Sequence, residues 1–244
     1  MKFEIQGMYA LVVGGTSGIG EATVRALVNQ GCKVIATGVT RAEIEACQSN
    51  SELEDVSFRL LDVADSDAVR ACIADLPCLD ILVNAAGIGG GGDEFEEAGF
   101  QRSIDINLSG TMRVCYAALE LLERRGGSIV NLASVMSFFG TGTAPAYSAS
   151  KGGVMQLTKS LAIAWAEKGI RVNAVAPGWI DTPMTSAMQS DVERNERVLA
   201  RSPMGRWGKP EEIAQGIVFL SSPSASFITG VVLPVDGGFM AVGI

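Results

Sequence analysis

The stretch Ala10-Leu11-Val12-Val13-Gly14-Gly15-Thr16-Ser17-Gly18-Ile19-Gly20 reads as a buried strand that runs into a glycine-rich turn and then a helix. Its glycines are spaced G-x3-G-x-G rather than G-x-G-x-x-G, but the physical requirement is similar. Glycine permits the tight turn and lets a pyrophosphate approach the backbone, while the N–H groups and positive end of the following helix attract the anion. A tight βα turn with no ligand would show the same glycines. The place of this turn, straight after the first strand, favours a dinucleotide.

Strand and helix alternate through the rest of the chain. Buried-strand runs follow at 33–36, 56–60, 81–83, 128–132, 171–175 and 231–235, and helical stretches at 19–30, 66–75, 95–123, 148–167 and 210–221. This pattern implies right-handed βαβ crossovers and an α/β, doubly wound, Rossmann-type parallel sheet of about seven strands with helices on both faces. The 244 residues suit one domain, 1–244, better than two. The glycines of 87–92 fit a loop after a strand, and the long connection 179–207 reads as a substrate lid.

Composition narrows the chemistry. A formal net charge of −8 repels phosphate backbones and anionic membrane surfaces, so nucleic acid and membrane are poor partners. The chain contains no histidine, which removes the usual base of Ser-His-Asp and Cys-His hydrolases and the commonest metal ligand. Five cysteines without a CxxC spacing point to reduced thiols in a cytoplasm. The N-terminus lacks the apolar core and cleavage site of a secretory signal, and no apolar run reaches the roughly 20 residues that span a bilayer.

Tyr147 and Lys151 are four apart at the start of a helix, so their side chains share one face. A phenol has a pKa of about 10, whereas a general acid/base works best near the operating pH. A cation about 4 Å away at a dielectric of about 20 contributes up to about 4 kcal/mol, or about three pKa units, towards the phenolate. Lys151 is expected to supply most of that. Ser134 closes the strand of 128–132, at the carboxyl end of the sheet where ligands bind, and its hydroxyl suits a substrate oxygen. Each of these residues alone has a plainer reading: a packed Tyr, a solvated Lys, a capping Ser.

Taken in order with Leu61-Asp62-Val63, Asn84-Ala85-Ala86-Gly87, Asn107 and Pro177-Gly178, these residues make the chain resemble a short-chain dehydrogenase/reductase of the simple, roughly 250-residue kind. The resemblance runs from the first strand to Val235-Asp236-Gly237-Gly238. It implies an NAD(P)-dependent enzyme in which Tyr147 is the acid/base, Lys151 lowers its pKa and holds the ribose, and Ser134 orients the substrate oxygen. Asn107 holds a water that joins Lys151 to solvent. The cofactor is then held by Gly14, Thr16, Ser17, Gly18, Ile19 and Gly20, by Asp62 and Val63 at the adenine, and by Asn84, Ala85, Ala86 and Gly87. Pro177, Gly178, Ile180 and Thr182 complete its site beside the nicotinamide. Two departures, Val13 for a usual Thr and Ala85 for a usual second Asn, touch hydrogen bonding around the turn.

The implied reaction moves hydride between nicotinamide C4 and a small-molecule ketone or secondary alcohol, and it calls for no metal. A catalytically silent dinucleotide sensor is the alternative, disfavoured by the complete set of Asn107, Ser134, Tyr147 and Lys151. Lid residues Met184, Met188, Val198 and Leu199, facing Phe138, Phe139 and Pro145, suggest an apolar pocket for a neutral substrate. A 3-oxoacyl thioester on a carrier protein ranks lower, since the basic docking positions fall at Ser128 and Lys168 in a chain of net negative charge. After the second strand, Gly38 leaves no Asp for the ribose hydroxyls, while Thr40 and Arg41 offer a hydroxyl and a cation to a 2′-phosphate. The cofactor reading therefore leans to NADP(H), with dual use open. The long helices 107–123 and 148–167 and the apolar tail 239–244 suggest a homotetramer.

Overall fold

The computed structural model describes residues 3–242; Met1, Lys2 and the end of the apolar tail, Gly243 and Ile244, lie outside the described residues. Strands β1 (Tyr9–Val13), β2 (Lys33–Gly38), β3 (Ser57–Leu60), β4 (Ile81–Asn84), β5 (Ser128–Leu132), β6 (Arg171–Pro177) and β7 (Val232–Val235) form one sheet. Its order is β3-β2-β1-β4-β5-β6-β7, and every pairing is parallel. Chain order reverses between β1 and β4, and a crevice opens there at the carboxyl ends.

Helices α1 (Gly18–Asn29), α2 (Arg41–Gln48), α3 (Ser66–Ala74), α4 (Glu97–Ile104), α5 (Thr111–Glu123), α6 (Pro145–Trp165), α7 (Ser186–Ser190), α8 (Val192–Arg201) and α9 (Pro210–Ser221) follow in chain order. Side chains alternate across β1. Ala10 and Val12 pack on one layer with Val24 and Leu27 of α1 and Ile213 and Ile217 of α9. Leu11 and Val13 pack on the other with Val69 of α3, Val114 of α5 and Leu161 of α6. Both faces of the sheet are thus apolar, which is why its strands read as unbroken hydrophobic runs.

The structure departs from the sequence reading in three places. The helix expected at 95–123 is interrupted by a π turn at Asp105–Gly110. The widened turn brings Asn107 inward to bond Ile88, and Gly110 packs where a Cβ would lie 2.7 Å from Val63 Cγ2. Helix α6 begins three residues before the expected start at 148 because Pro145 occupies its first turn. Finally, α2 and the two lid helices α7 and α8 were not anticipated; α2 opens with a capping box between Thr40 and Glu43.

A buried polar ladder sets the depth of α6. Asn84 Nδ2 donates to Asn131 Oδ1 at 2.8 Å, and Asn131 Nδ2 donates to Thr158 Oγ1 at 2.9 Å. Asn131→Ala removes both ladder bonds, leaving Asn84 Nδ2 only Cys115 Sγ and Thr158 Oγ1 only the Val154 carbonyl, so stability should fall by about 1–3 kcal/mol. Urea unfolding checks this: the midpoint should drop at constant m, and a change below about 0.5 kcal/mol contradicts the ladder's role.

Candidate active site

The turn after β1 is shaped by what it must avoid. Gly14 has a φ of 77°, and a Cβ on it would lie 2.5 Å from the Ala86 nitrogen. A Cβ on Gly20 would meet the Gly14 carbonyl oxygen at 1.9 Å. No larger residue fits at either position. Gly14 N donates to Thr37 Oγ1 at 3.2 Å and Gly15 N to the Thr37 carbonyl at 2.8 Å, so β2 supplies the hydroxyl that Val13 lacks. At the other departure, Ala85 N reaches the Val13 carbonyl at 2.8 Å and ties the two turns together.

Ser17 stands at the N-cap of α1 with its side chain unbonded to the helix, so the N–H groups of the first turn face a cavity of about 590 Å³. The cavity runs along the carboxyl ends of the central strands. Glycines that leave no Cβ, an uncapped helix N-terminus and an elongated crevice together fit a dinucleotide with its pyrophosphate over α1. Among the catalytic and cofactor-binding residues read from the sequence, all line this cavity except Asn84, Thr40, Arg41 and Asn107.

Each exception has a physical reason. Asn84 points into the core, in the ladder with Asn131 and beside Cys115 Sγ at 3.2 Å. Thr40 and Arg41 are exposed at the start of α2, where Thr40 accepts from Glu43 N at 3.2 Å. Asn107 lies one layer behind Gly87. Its amide receives Ile88 N at 2.8 Å, returns a bond to the Ile88 carbonyl at 3.0 Å and donates to Ser150 Oγ at 3.2 Å. It therefore joins the loop after β4 to α6.

The sequence reading missed Glu43. Its Oε2 accepts from Val39 N at 3.1 Å, Thr40 N at 3.3 Å and Thr16 Oγ1 at 3.4 Å, which places a carboxylate on the loop where none was expected at Gly38. The signal was present as T-x-x-E across 40–43, the pattern of a capping box. Glu94, buried in the loop after β4, was missed as well. It accepts from Ala146 N at 3.0 Å, Tyr147 N at 3.1 Å and Ser103 Oγ at 3.1 Å. No local pattern marks it, because its partners lie 52 and 53 residues away in α6.

Tyr147, Ser134 and Lys151 meet on the cavity wall. The Tyr147 phenol lies beside the Ser134 hydroxyl on this wall, and Ser134 Oγ accepts from Met136 N at 3.1 Å. Lys151 Nζ donates to the Leu132 carbonyl at 2.7 Å and lies 5.7 Å from the centre of the Tyr147 ring. Burial pushes the phenol above its usual value, the Ser134 hydroxyl opposes this, and the Glu94 charge adds to it. The strong downward pull expected from Lys151 is thus not what dominates here. Burial also brings Lys151 itself down to about 8, so its charge fades in the mildly alkaline range.

A family model described as enoyl-(acyl carrier protein) reductase matches residues 13–240. Cis-4-hydroxycyclohexanecarboxylate dehydrogenase of Sinomonas cyclohexanicum is 40% identical over 245 residues, 96% of this chain and 96% of that protein. The 2-dehydro-3-deoxy-D-gluconate 5-dehydrogenase of Bacillus subtilis (strain 168) is 38% identical over 247 residues, 98% of this chain and 97% of that protein. A solved gluconate 5-dehydrogenase from Burkholderia cenocepacia J2315, in complex with NADP and tartrate, matches with a TM-score of 0.92 at 32% identity, covering 99% of this chain and 98% of that one.

The state of Lys151 sets a stability test. Its folded pKa of about 8 lies below the ordinary lysine value of about 10.4, so between these values the unfolded chain binds a proton that the folded chain does not. Stability on this account rises with pH across that window, and below pH 8 the buried ammonium is a standing cost. Lys151→Met should therefore raise stability at pH 7 by about 2 kcal/mol, after allowing for the lost bond to Leu132. The gain should shrink towards pH 10. Thermal melts across that range check it, and a variant that melts lower than wild type at pH 7 contradicts it.

Proposed function

The chain belongs to the short-chain dehydrogenase/reductase family, NAD(P)-dependent oxidoreductases of secondary alcohols and ketones, and from that premise we propose that Tyr147, Ser134, Lys151 and Asn107 carry its chemistry. The observation behind the proposal is the meeting of Tyr147, Ser134 and Lys151 on one wall of the cavity that begins at the glycine turn, with Lys151 Nζ 5.7 Å from the centre of the Tyr147 ring. A nicotinamide dinucleotide bound over α1 supplies or accepts the hydride. Ser134 holds the substrate oxygen by its hydroxyl. Tyr147 gives its proton to that oxygen in reduction and takes the hydroxyl proton in oxidation. Lys151 favours the phenolate by its charge, and Asn107 fixes the loop of Gly87 and Ile88 against α6 so that these groups keep their spacing.

The segment 179–207 is proposed as the substrate lid of a single unit spanning 1–244. Its base is clasped by an Ile180–Gly208 bridge and by Trp179 packed edge-on to Trp207 at 6.0 Å, which leaves α7 and α8 to move together. Of the apolar residues named for the pocket, Met184 lines the cavity, whereas Val198 is buried beneath the lid and Phe139 stacks on Phe239. The substrate read from this wall is a small ketone or secondary alcohol. A carrier-protein thioester has less support: Ser128 is buried and Lys168 is paired with Glu123 at 2.7 Å.

For the cofactor, two opposing charges flank the 2′ position. Arg41 stands at the start of α2, and the NADP in the Burkholderia relative supports the lean to NADP(H). Glu43 opposes that lean with a carboxylate that repels a phosphate and already accepts the loop's N–H donors. The proposal is dual use, the ratio set by Glu43 against Arg41. A homotetramer is proposed on the exposed Met112 and Tyr116 of α5 and Ile163 of α6, which make an apolar face on the two long helices. A cytoplasmic setting is proposed on the five free cysteines. Among the described residues no helix is long and apolar enough to cross a membrane.

Tyr147→Phe should keep fold and cofactor binding while kcat falls by about 1000-fold or more, within what acid/base catalysis and orientation contribute. Absorbance of the reduced cofactor with a panel of ketones reads this out, and turnover within tenfold of wild type contradicts the assignment. Glu43→Gln should raise kcat/KM for NADPH relative to NADH about tenfold, equal to about 1.4 kcal/mol. An unchanged ratio would show that Glu43 does not face the 2′ position.

A further inference from the structure

Helix α6 carries both Tyr147 and Lys151, yet Ala144 at its N-cap offers no side-chain acceptor. The N–H groups of Ala146 and Tyr147, in the first turn, bond instead to Glu94 Oε2, which arrives from the loop after β4, and Ser103 Oγ of α4 donates to Oε1. Two backbone N–H groups and one hydroxyl thus serve its two oxygens. The group is 2% exposed, and no basic side chain pairs with it among the described residues. A buried carboxylate held only by neutral donors is costly for a cap that a serine at 144 would provide. Its charge therefore has a use beyond capping.

We propose that Glu94 is a positioning residue of the active site: it caps the helix that bears Tyr147 and Lys151, and its side chain, bonded to the N–H of Tyr147 itself, acts electrostatically on that residue's phenol. The inference rests on Tyr147 being the acid/base. The groups beside the phenol are Ser134 from the turn after β5 and Lys151 one turn along α6, while Glu94 holds the backbone N–H of Tyr147 from below the first turn. Arg102 and Asp105 line the same cavity from α4 and the π turn, and Asp105 is paired with Arg113 at 2.5 Å. Lys151 pulls the phenol towards ionisation and Glu94 pushes against it. The same carboxylate joins the glycine loop to the catalytic helix, since a Cβ on Gly90 would lie 3.4 Å from its Oε1 and 2.3 Å from Ala144 Cβ. The loop, the cap and the acid/base thus move as one body.

The test separates charge from capping. Glu94→Gln keeps an oxygen for the two N–H groups, and Ser103 Oγ can accept from the new amide, so the variant should fold and melt within a few degrees of wild type. Its pH profile for alcohol oxidation should change: the acid limb of kcat/KM should move down by about half to one pH unit, because the phenol ionises more readily without the neighbouring charge. Below the limb, oxidation should be about three- to tenfold faster than wild type. Glu94→Asp keeps the charge on a shorter reach and should melt lower while retaining the wild-type limb. A Gln variant that does not fold, or that folds and keeps the wild-type limb, overturns the proposal. If Tyr147→Phe keeps its turnover, the acid/base reading fails first; if that variant is inactive and the Gln limb is unmoved, only the role of Glu94 fails.

Discussion

The contact on which the rest depends is backbone against backbone, between Gly14 and Ala86 at the point where the strand order reverses. Two turns that approach so closely leave no room for a side chain at Gly14, and the fold of the first turn onto itself leaves none at Gly20. The consequence is an open end of α1 whose N–H groups have no partner from Ser17. A helix end in that condition is an anion site, and the crevice beside it is long enough for a dinucleotide. Cofactor binding is thus tied to the constraint that sets the geometry of the central strands.

The groups proposed as catalytic depend on a second constraint, the position of α6. Asn131 holds the helix from below through Thr158, Asn107 from the side through Ser150, and Glu94 from its end. With the helix so fixed, Lys151 is buried at a cost to stability and its pKa falls to about 8. Tyr147 is pushed the other way by burial. From nearly equal ordinary values the two groups are thus moved apart, the Lys151 ammonium becoming the stronger acid of the pair. Stability is given up at Lys151 for that condition, as is common where function needs a buried charge.

Much of this was legible because it is local. The apolar strand runs mark a sheet covered on both faces, the glycine turn marks the anion site, and the four-residue spacing of Tyr147 and Lys151 marks one face of a helix. Asn107 looked like an ordinary helical residue because the π turn that turns it inward is formed by contacts with Ile88, 19 residues distant. Glu94 was invisible for the same reason at longer range. Glu43 is legible as the acid of T-x-x-E across 40–43, but its carboxylate serves the end of β2 by returning to that loop from the first turn of α2. Of the apolar residues read as pocket walls, Met184 lies on the cavity and Phe139 packs on Phe239, a distinction that sequence does not make.

The central claim is direct hydride transfer in the crevice between β1 and β4. It is tested by oxidising a panel of secondary alcohols deuterated at the carbinol carbon with NAD⁺ and NADP⁺, and locating the label by mass spectrometry. The account predicts that one deuterium per turnover appears in the reduced nicotinamide, with no exchange into water. Label recovered in solvent instead, or no reduced cofactor formed with any alcohol of the panel, would contradict it.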